Sequence, residues 1–168
     1  MSGATILSEL KPLLLAPPAW TLAVAESLTA GQVQARVGSI SGASNFFAGG
    51  LTAYSLEQKV RHLGVERRGA SAVNCVSARV AEEMARGVCA LFNAQVGVAT
   101  TGYAEPAPDW NVPEPFAWWA IACHGKRGSL RLRHGRVECP GASRPLAQAM
   151  VADAVIAELV GFLRELRG

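Results

Sequence analysis

The chain has 168 residues, of which 50% are apolar and 17% are charged, so it has the size and composition of one folded domain. Its net charge of +3 is small and its Lys and Arg residues are scattered, which argues against the basic face that a nucleic-acid-binding protein needs. We therefore expect one domain over residues 1–168, and neither a nucleic acid nor a membrane as partner, because no apolar run reaches membrane-spanning length.

The cysteines show neither a C-x-x-C motif nor a metal-type spacing with the three histidines. They are Cys75, Cys89, Cys123 and Cys139. We interpret them as reduced, mostly buried thiols of a cytoplasmic protein, and we expect no metal. A signal peptide is not expected, since the short apolar run 13–15 is stopped by Pro17 and Pro18.

Hydrophobic periodicity predicts a helix over residues 4–15, a buried strand over 21–25 and then a second helix. Thr29 and Gln32 have the spacing of a capping box at the start of that second helix. Residues 26–31 would then form a strand-to-helix turn, where N–H groups bind phosphate or carboxylate well. An ordinary capped helix explains the same pattern.

The middle of the chain continues the alternation of helices and strands. Residues 38–50 are rich in Gly and Ser and predict a loop, followed by a strand over 51–54. Ser55 and Gly64 are the expected start and stop signals of a helix over 56–63.

Residues 65–76 are expected to be irregular, and a strong amphipathic helix should follow, capped by Ser77. A strand over 95–100 then ends in a second loop that carries hydroxyl groups. The carboxyl ends of strands are where α/β domains bind ligands, so this loop joins the candidate site.

The remaining segments are a proline-stiffened loop over 106–115, a hairpin with strands over 116–124 and 129–137 and a turn at 126–128, and a last helix over 145–166. Helices and strands alternate, with one late hairpin. This order predicts an α/β fold, a three-layer α/β/α sandwich with a mixed, mostly parallel sheet.

Hydroxyl groups are concentrated after the first strand and again before residue 55, with Tyr54 and Lys59 close behind. The segments that carry them resemble the motifs of the CinA C-terminal domain family, in order and spacing. They are Glu26-Ser-Leu-Thr-Ala-Gly31, Gly42-Ala-Ser44, Gly49 to Ser55 with Lys59, Leu63-Gly-Val65, and Thr101-Gly-Tyr-Ala104. The sequence is therefore identified as a divergent member of that family over nearly its whole length.

The resemblance implies a metal-independent amidohydrolase that converts nicotinamide mononucleotide to nicotinate mononucleotide and ammonia. It implies Ser44 as nucleophile, Lys59 as base and Tyr54 as a group that positions or relays the proton. The implied substrate-binding residues are Ser27, Thr29, Gly42, Thr101 and Arg144, with Ser27 contacting either the substrate or the base. No cofactor is implied, and the expected partners are a small-molecule substrate and further copies of the chain in a homo-oligomer.

The implied chemistry is consistent with the residue types. A serine that attacks an amide needs a nearby base, and lysine is a base only when it is neutral, which desolvation favours. The aromatic rings of Phe46, Phe47 and Tyr54 are expected to supply dry surroundings.

One loop departs from the family pattern. Glu105 stands where the family has a glycine, and Asp109 and Glu114 add further negative charge. Such charge disfavours a phosphorylated substrate if the side chains face the site. Two alternatives therefore stay open: an amidase for a different small amide, and a catalytically inactive binding or assembly module.

Overall fold

The computed structural model describes residues 3–125 and 128–168, and most of the predicted turn at 126–128 lies outside these residues. Within the described residues six α-helices and five strands alternate. The helices are α1 (Gly3–Leu15), α2 (Gln32–Gly38), α3 (Leu56–Leu63), α4 (Arg67–Ala72), α5 (Ala78–Phe92) and α6 (Arg144–Arg167). The strands are β1 (Leu22–Glu26), β2 (Phe47–Thr52), β3 (Val96–Tyr103), β4 (Phe116–His124) and β5 (Leu130–Glu138).

The strands form one sheet in the order β2-β1-β3-β4-β5. β1 pairs in parallel with both β2 and β3, whereas β4 is antiparallel to both β3 and β5. β4 is therefore the only described strand that runs against the other four. This arrangement confirms the predicted mixed sheet, in which most strands share one direction.

The helices cover both faces of the sheet, which confirms the three-layer sandwich. α1, α2 and α6 pack on one face against large apolar side chains of β1, β3 and β4. α3, α4 and α5 pack on the other face, where the same strands present mostly alanine. The alternation of large and small side chains along each strand sets the distance of each helical layer from the sheet.

The small residues let α5 lie unusually close to its neighbours. A methyl group on Gly97 of β3 would lie 2.2 Å from the carbonyl oxygen of Ala85 in α5. A methyl group on Gly87 of α5 would lie 2.0 Å from the carbonyl oxygen of Leu63, the last residue of α3. α3 is thus pressed against α5, and this contact fixes the helix that carries Lys59.

β2 begins at Phe47, four residues earlier than predicted, and includes the two glycines that suggested a loop. Gly49 has a φ of 139°, and a methyl group there would lie 2.7 Å from the Phe92 ring. A methyl group on Gly50 would lie 2.5 Å from the carbonyl oxygen of Val24. The glycines are therefore explained by close packing against β1 and α5, and the expectation of a loop over residues 47–50 was wrong.

Two other boundaries differ from the sequence-based prediction. α4 lies inside the stretch 65–76 that was expected to be irregular, and the carboxylate of Glu66 caps it by accepting from the N–H groups of Arg68 and Gly69. β3 extends to Tyr103, three residues further than predicted, because residues 100–103 pair with β4. α4 escaped the sequence-based prediction because a helix of six residues has too few turns to show a clear periodicity.

By length and composition α6 is apolar enough to cross a membrane, contrary to the expectation that no apolar run reaches that length. Half of its apolar stretch is buried inside the domain, against α1, α2 and the sheet. The central helix of a globular core meets the same criteria, so we interpret α6 as a core helix.

Candidate active site

The carboxyl ends of β1, β2 and β3 surround a pocket of about 330 Å³. Five separate segments line it: residues 27–28, Tyr54, residues 74 and 76, residues 101–107, and Arg144. The hydroxyl-bearing segments at the ends of β1 and β3, both predicted from the sequence, are part of this lining. The pocket is the candidate functional site.

Lys59 lies behind Ser27, which lines this pocket, and is only 1% exposed. Ser55 caps α3 as predicted, so the helix begins directly after Tyr54 and its second turn directs Lys59 inward. The Lys59 ammonium Nζ donates to Ser27 Oγ at 2.9 Å, to the Ala53 carbonyl at 2.8 Å and to the Tyr54 carbonyl at 3.2 Å. Lys59 is therefore not a solvated surface lysine, although it stands on a short helix.

Burial lowers the pKa of Lys59 below its usual value of 10.5, because desolvation penalises the ammonium. The described residues offer no carboxylate within ion-pair distance of Nζ to oppose this effect. Two of the three tetrahedral positions on Lys59 Nζ are N–H groups that donate to the Ala53 and Tyr54 carbonyl oxygens. The third direction from Nζ points at Ser27 Oγ. In the neutral amine that third direction is a lone pair that accepts the Ser27 hydroxyl proton.

Ser27 is held by the turn between β1 and α2, and Glu26 organises that turn. The Glu26 carboxylate is fully buried and accepts from the N–H groups of Gly31, Val33 and Gln34 at 2.8–3.1 Å. The N–H groups at the start of α2 are thus satisfied by a carboxylate of the chain itself, so they are not free to bind a phosphate or carboxylate of a ligand.

The predicted capping box at Thr29 was wrong. The N-cap of α2 is Gly31, in the left-handed region and without a side-chain cap. The Thr29 hydroxyl lies 2.7 Å from the Thr100 hydroxyl, and both side chains are fully buried. Thr29 does not line the pocket, so it stabilises the contact between the turn and β3 and is not placed to touch a ligand.

Thr101 lines the pocket as predicted, and its hydroxyl donates to the Cys75 carbonyl at 2.7 Å. This bond fixes residues 74–76, which form a wall that sequence reasoning missed. Asn74 in that wall donates to the Tyr103 hydroxyl at 3.1 Å. Asn74 and Cys75 both have positive φ values, of 49° and 62°. Asparagine tolerates that region, but nothing local in the sequence connects it to β3.

Tyr54 and Arg144 lie at the mouth of the pocket together with Glu105. One guanidinium nitrogen of Arg144 donates to Glu105 Oε1 at 2.5 Å, and the other donates to the Tyr54 hydroxyl. The Tyr54 hydroxyl therefore contacts Arg144, whereas only its carbonyl contacts Lys59. This geometry does not support the expected proton relay from Lys59 through the phenol.

The structure does not bring Ser44 or Gly42 to Lys59. Ser44 is exposed in a short 3-10 helix before β2, and Gly42 precedes it beside Lys11 of α1. Ser44 precedes β2, whereas the pocket lies beyond the other end of that strand. Because β2 has six residues, Ser44 lies roughly 20 Å from the pocket. The predicted pairing of Ser44 with Lys59 is corrected to a pairing of Ser27 with Lys59.

Phe46 and Phe47 also lie away from the pocket, in the core on the α1, α2 and α6 face. They do not supply the dry surroundings expected for Lys59. In the described part of the chain no group of three or more His, Cys, Asp or Glu side chains could hold a metal ion.

The fold and the pocket define an α/β/α domain with a buried serine–lysine pair at the carboxyl ends of its parallel strands. The sequence profile of the CinA C-terminal domain family matches residues 6–160. The chain belongs to this family.

Relatives and solved structures agree with this assignment. The chain is 35% identical to a CinA-like protein of Chlorobium limicola, over 99% of its own length and 39% of that protein. It is 40% identical to a CinA-like protein of Flavobacterium psychrophilum, over 82% of its own length and 33% of that protein. It therefore spans about two fifths, or less, of the length of these relatives.

The crystal structure of competence damage-inducible protein A from Klebsiella pneumoniae superposes with a TM-score of 0.84 at 25% identity, covering 98% of both chains. A CinA superfamily protein from Enterobacter cloacae superposes with a TM-score of 0.86 at 24% identity, covering 97% of this chain and 93% of that one. Because the identity to the Enterobacter cloacae protein is only 24%, that similarity concerns the fold alone.

Proposed function

We propose that this domain is a metal-independent serine amidohydrolase with Ser27 as nucleophile and Lys59 as base. Its proposed reaction is that implied by the family resemblance, hydrolysis of the carboxamide of nicotinamide mononucleotide or of a close relative of that amide. The observation that carries the proposal is the 2.9 Å distance between Lys59 Nζ and Ser27 Oγ in a buried position that borders an open pocket.

In the first step the neutral Lys59 amine takes the Ser27 hydroxyl proton while Oγ bonds to the amide carbon. The C–N bond then breaks, and the Lys59 ammonium returns the proton to the departing nitrogen, which leaves as ammonia. The product of this half-reaction is an ester on Ser27.

In the second step water attacks the Ser27 ester and Lys59 again accepts a proton. Collapse of the adduct releases the carboxylic acid and restores the Ser27 hydroxyl. No change of oxidation state occurs, so the pair needs no redox partner. Lys59 meets the requirement of such a base because its burial favours the neutral amine.

The deciding experiment measures ammonia release from nicotinamide mononucleotide by the purified protein and two serine variants. Ser27→Ala should lose about 10³-fold or more in kcat, because it removes the attacking oxygen. Ser44→Ala is the matched control and should keep kcat within about threefold, since Ser44 lies at the other edge of the sheet. The reverse ranking would restore Ser44 as the nucleophile.

An acid-quenched reaction adds a readout that does not depend on rates. Mass spectrometry should find the acyl group on the peptide that contains Ser27. A folded protein that turns over neither the mononucleotide nor related amides would favour the non-catalytic binding module.

A further inference from the structure

We propose that Glu105 makes this pocket prefer an amide that carries no phosphate, so that the preferred substrate is a nucleoside-type carboxamide and not the nucleotide. This inference rests on the proposed function and names the substrate class of the same site. It starts from the ion pair between Glu105 and Arg144 across the mouth of the pocket.

Arg144 is the only cationic side chain among the described residues that line the pocket. Its guanidinium is already engaged on two sides, by the Glu105 carboxylate at 2.5 Å and by the Tyr54 hydroxyl. A phosphate that approached Arg144 would have to displace Glu105 or lie beside it. Either course weakens the attraction that a free arginine offers to a dianion.

The second place where an anion might bind is occupied as well. The N–H groups at the start of α2 are satisfied by the buried carboxylate of Glu26. That carboxylate lies in the turn that presents Ser27 to the pocket. A phosphate would therefore find these N–H groups already taken.

The formal charges of the pocket lining also indicate that a phosphate would gain little here. Glu105 and Arg144 are the charged members of the lining, and their charges cancel. Lys59 lies behind Ser27 and is not part of the lining. Glu114 on the same loop accepts from the Gly141 N–H at 2.8 Å, which ties the loop to the segment that leads to Arg144. The site thus provides hydroxyl and carbonyl groups for a hydroxylated ligand, and no uncompensated cation for a phosphate.

The test compares kcat/KM for nicotinamide riboside and nicotinamide mononucleotide, two amides that differ only by the phosphate. The wild type should favour the riboside by about tenfold or more. Glu105→Gln keeps the size of the side chain and removes its charge, so it should raise kcat/KM for the mononucleotide about tenfold, mainly through KM. The riboside carries no phosphate and should not gain, so the preference for the riboside should shrink by about tenfold.

Asp109→Asn is the matched control, because it removes one negative charge from the same loop outside the pocket lining. It should leave the ratio of the two kcat/KM values within about twofold of the wild type. A wild type that favours the mononucleotide would overturn the proposal, as would equal effects of both variants on the ratio.

A binding measurement separates this proposal from the proposed reaction. Calorimetry with Ser27→Ala gives the Kd of each amide without turnover, and with Ser27→Ala/Glu105→Gln it gives the change due to the charge. A Kd ratio that favours the riboside and shifts with Glu105→Gln supports the preference even if the wild type hydrolyses neither amide. Equal Kd values for the two amides in both proteins would refute the preference even if hydrolysis occurs.

Discussion

At the scale of single residues, burial and hydrogen bonds shape the candidate site. Lys59 stands on a helix that is only eight residues long, yet it is almost fully buried because α3 packs its inner side against the sheet and α5. Two backbone carbonyls orient its amine toward Ser27. The position, and not the residue type alone, makes this lysine a candidate base.

The lowered pKa of Lys59 predicts the pH dependence of activity. If the neutral amine is the base, kcat/KM should rise with pH along one ionisation whose pKa lies below the usual 10.5. Steady-state rates from pH 6 to pH 10 on the best amide would measure it. Lys59→Arg should abolish activity over the whole range, because guanidinium stays charged. A pH-independent rate would contradict the role of Lys59.

The same shift predicts a pH dependence of stability. Between the lowered pKa in the folded state and 10.5, the unfolded chain binds the Lys59 proton more than the folded chain does. The free energy of unfolding should therefore rise with pH across that window, and below it the cost of burying the ammonium applies in full. In Lys59→Met the free energy of unfolding, measured with urea, should depend less on pH across this window. An unchanged slope of that free energy against pH would exclude Lys59 as its source.

Glu26 illustrates how one buried carboxylate shapes the site. Glu26→Gln should destabilise the domain by about 2 kcal/mol, because an amide cannot accept all three N–H bonds and its NH₂ group opposes the donors. Activity should fall as well, since the turn positions Ser27. The urea midpoint is the measurement. Glu57→Gln, at an exposed ion pair with Arg67, is the control and should leave the midpoint near the wild-type value. Equal midpoints for the two variants would contradict this role.

At the scale of elements, the close approach of two backbones explains one of the glycines found inside the helices. Gly87 lies in α5 where α3 ends, whereas a methyl group added to Gly161 of α6 would have nothing within 4 Å. The two helical glycines therefore have opposite consequences for packing. The first is required by the contact that holds the helix of Lys59.

Alanine at these two positions should change stability in opposite directions. Gly87→Ala would place a methyl group 2.0 Å from the Leu63 carbonyl oxygen and should cost roughly 3 kcal/mol through displacement of α3. Gly161→Ala should be neutral or stabilising by up to about 1 kcal/mol, because alanine favours the helix. Thermal unfolding of both variants measures the difference. Similar effects of the two substitutions would show that the α3–α5 contact is not limiting.

At the scale of the whole molecule, the pocket depends on segments from nearly the entire chain. Residue 28 follows β1, and its carbonyl oxygen accepts from Gln148 Nε2 of α6 at 2.7 Å. Arg36 of α2 also pairs with Asp153 of α6. The last helix thus holds the first strand-to-helix turn in place, so the integrity of the site requires the complete fold.

The cysteines provide a test of that global integrity. Cys89, Cys123 and Cys139 are buried, whereas Cys75 is partly exposed. Burial raises the pKa of Cys89 to about 12, and it raises the pKa of the other three thiols too. A thiol reagent at pH 8 should therefore modify one thiol per chain first, and the other three only as the domain unfolds. Rapid reaction of all four in native buffer would contradict this packing.

The sequence alone determined the alternation of elements, the caps at Ser55 and Ser77, the hairpin and the family. These features depend on periodicity, on local capping and on motif order, all of which involve residues near one another in the chain. The resemblance of these motifs to the family implied Lys59, Thr101 and Tyr54 as candidates for the site.

Only the tertiary structure decided which serine meets Lys59. Ser27 and Ser44 both follow apolar or glycine-rich segments, and both are closer to Lys59 in the sequence than Thr101 is. The direction of β2 puts Ser44 at its start and Lys59 beyond its end, and parallel pairing with β1 puts Ser27 beside that end. The hydrogen bonds of Glu26 and Glu105 were likewise unpredictable, because a side chain finds its partner only once distant segments have packed.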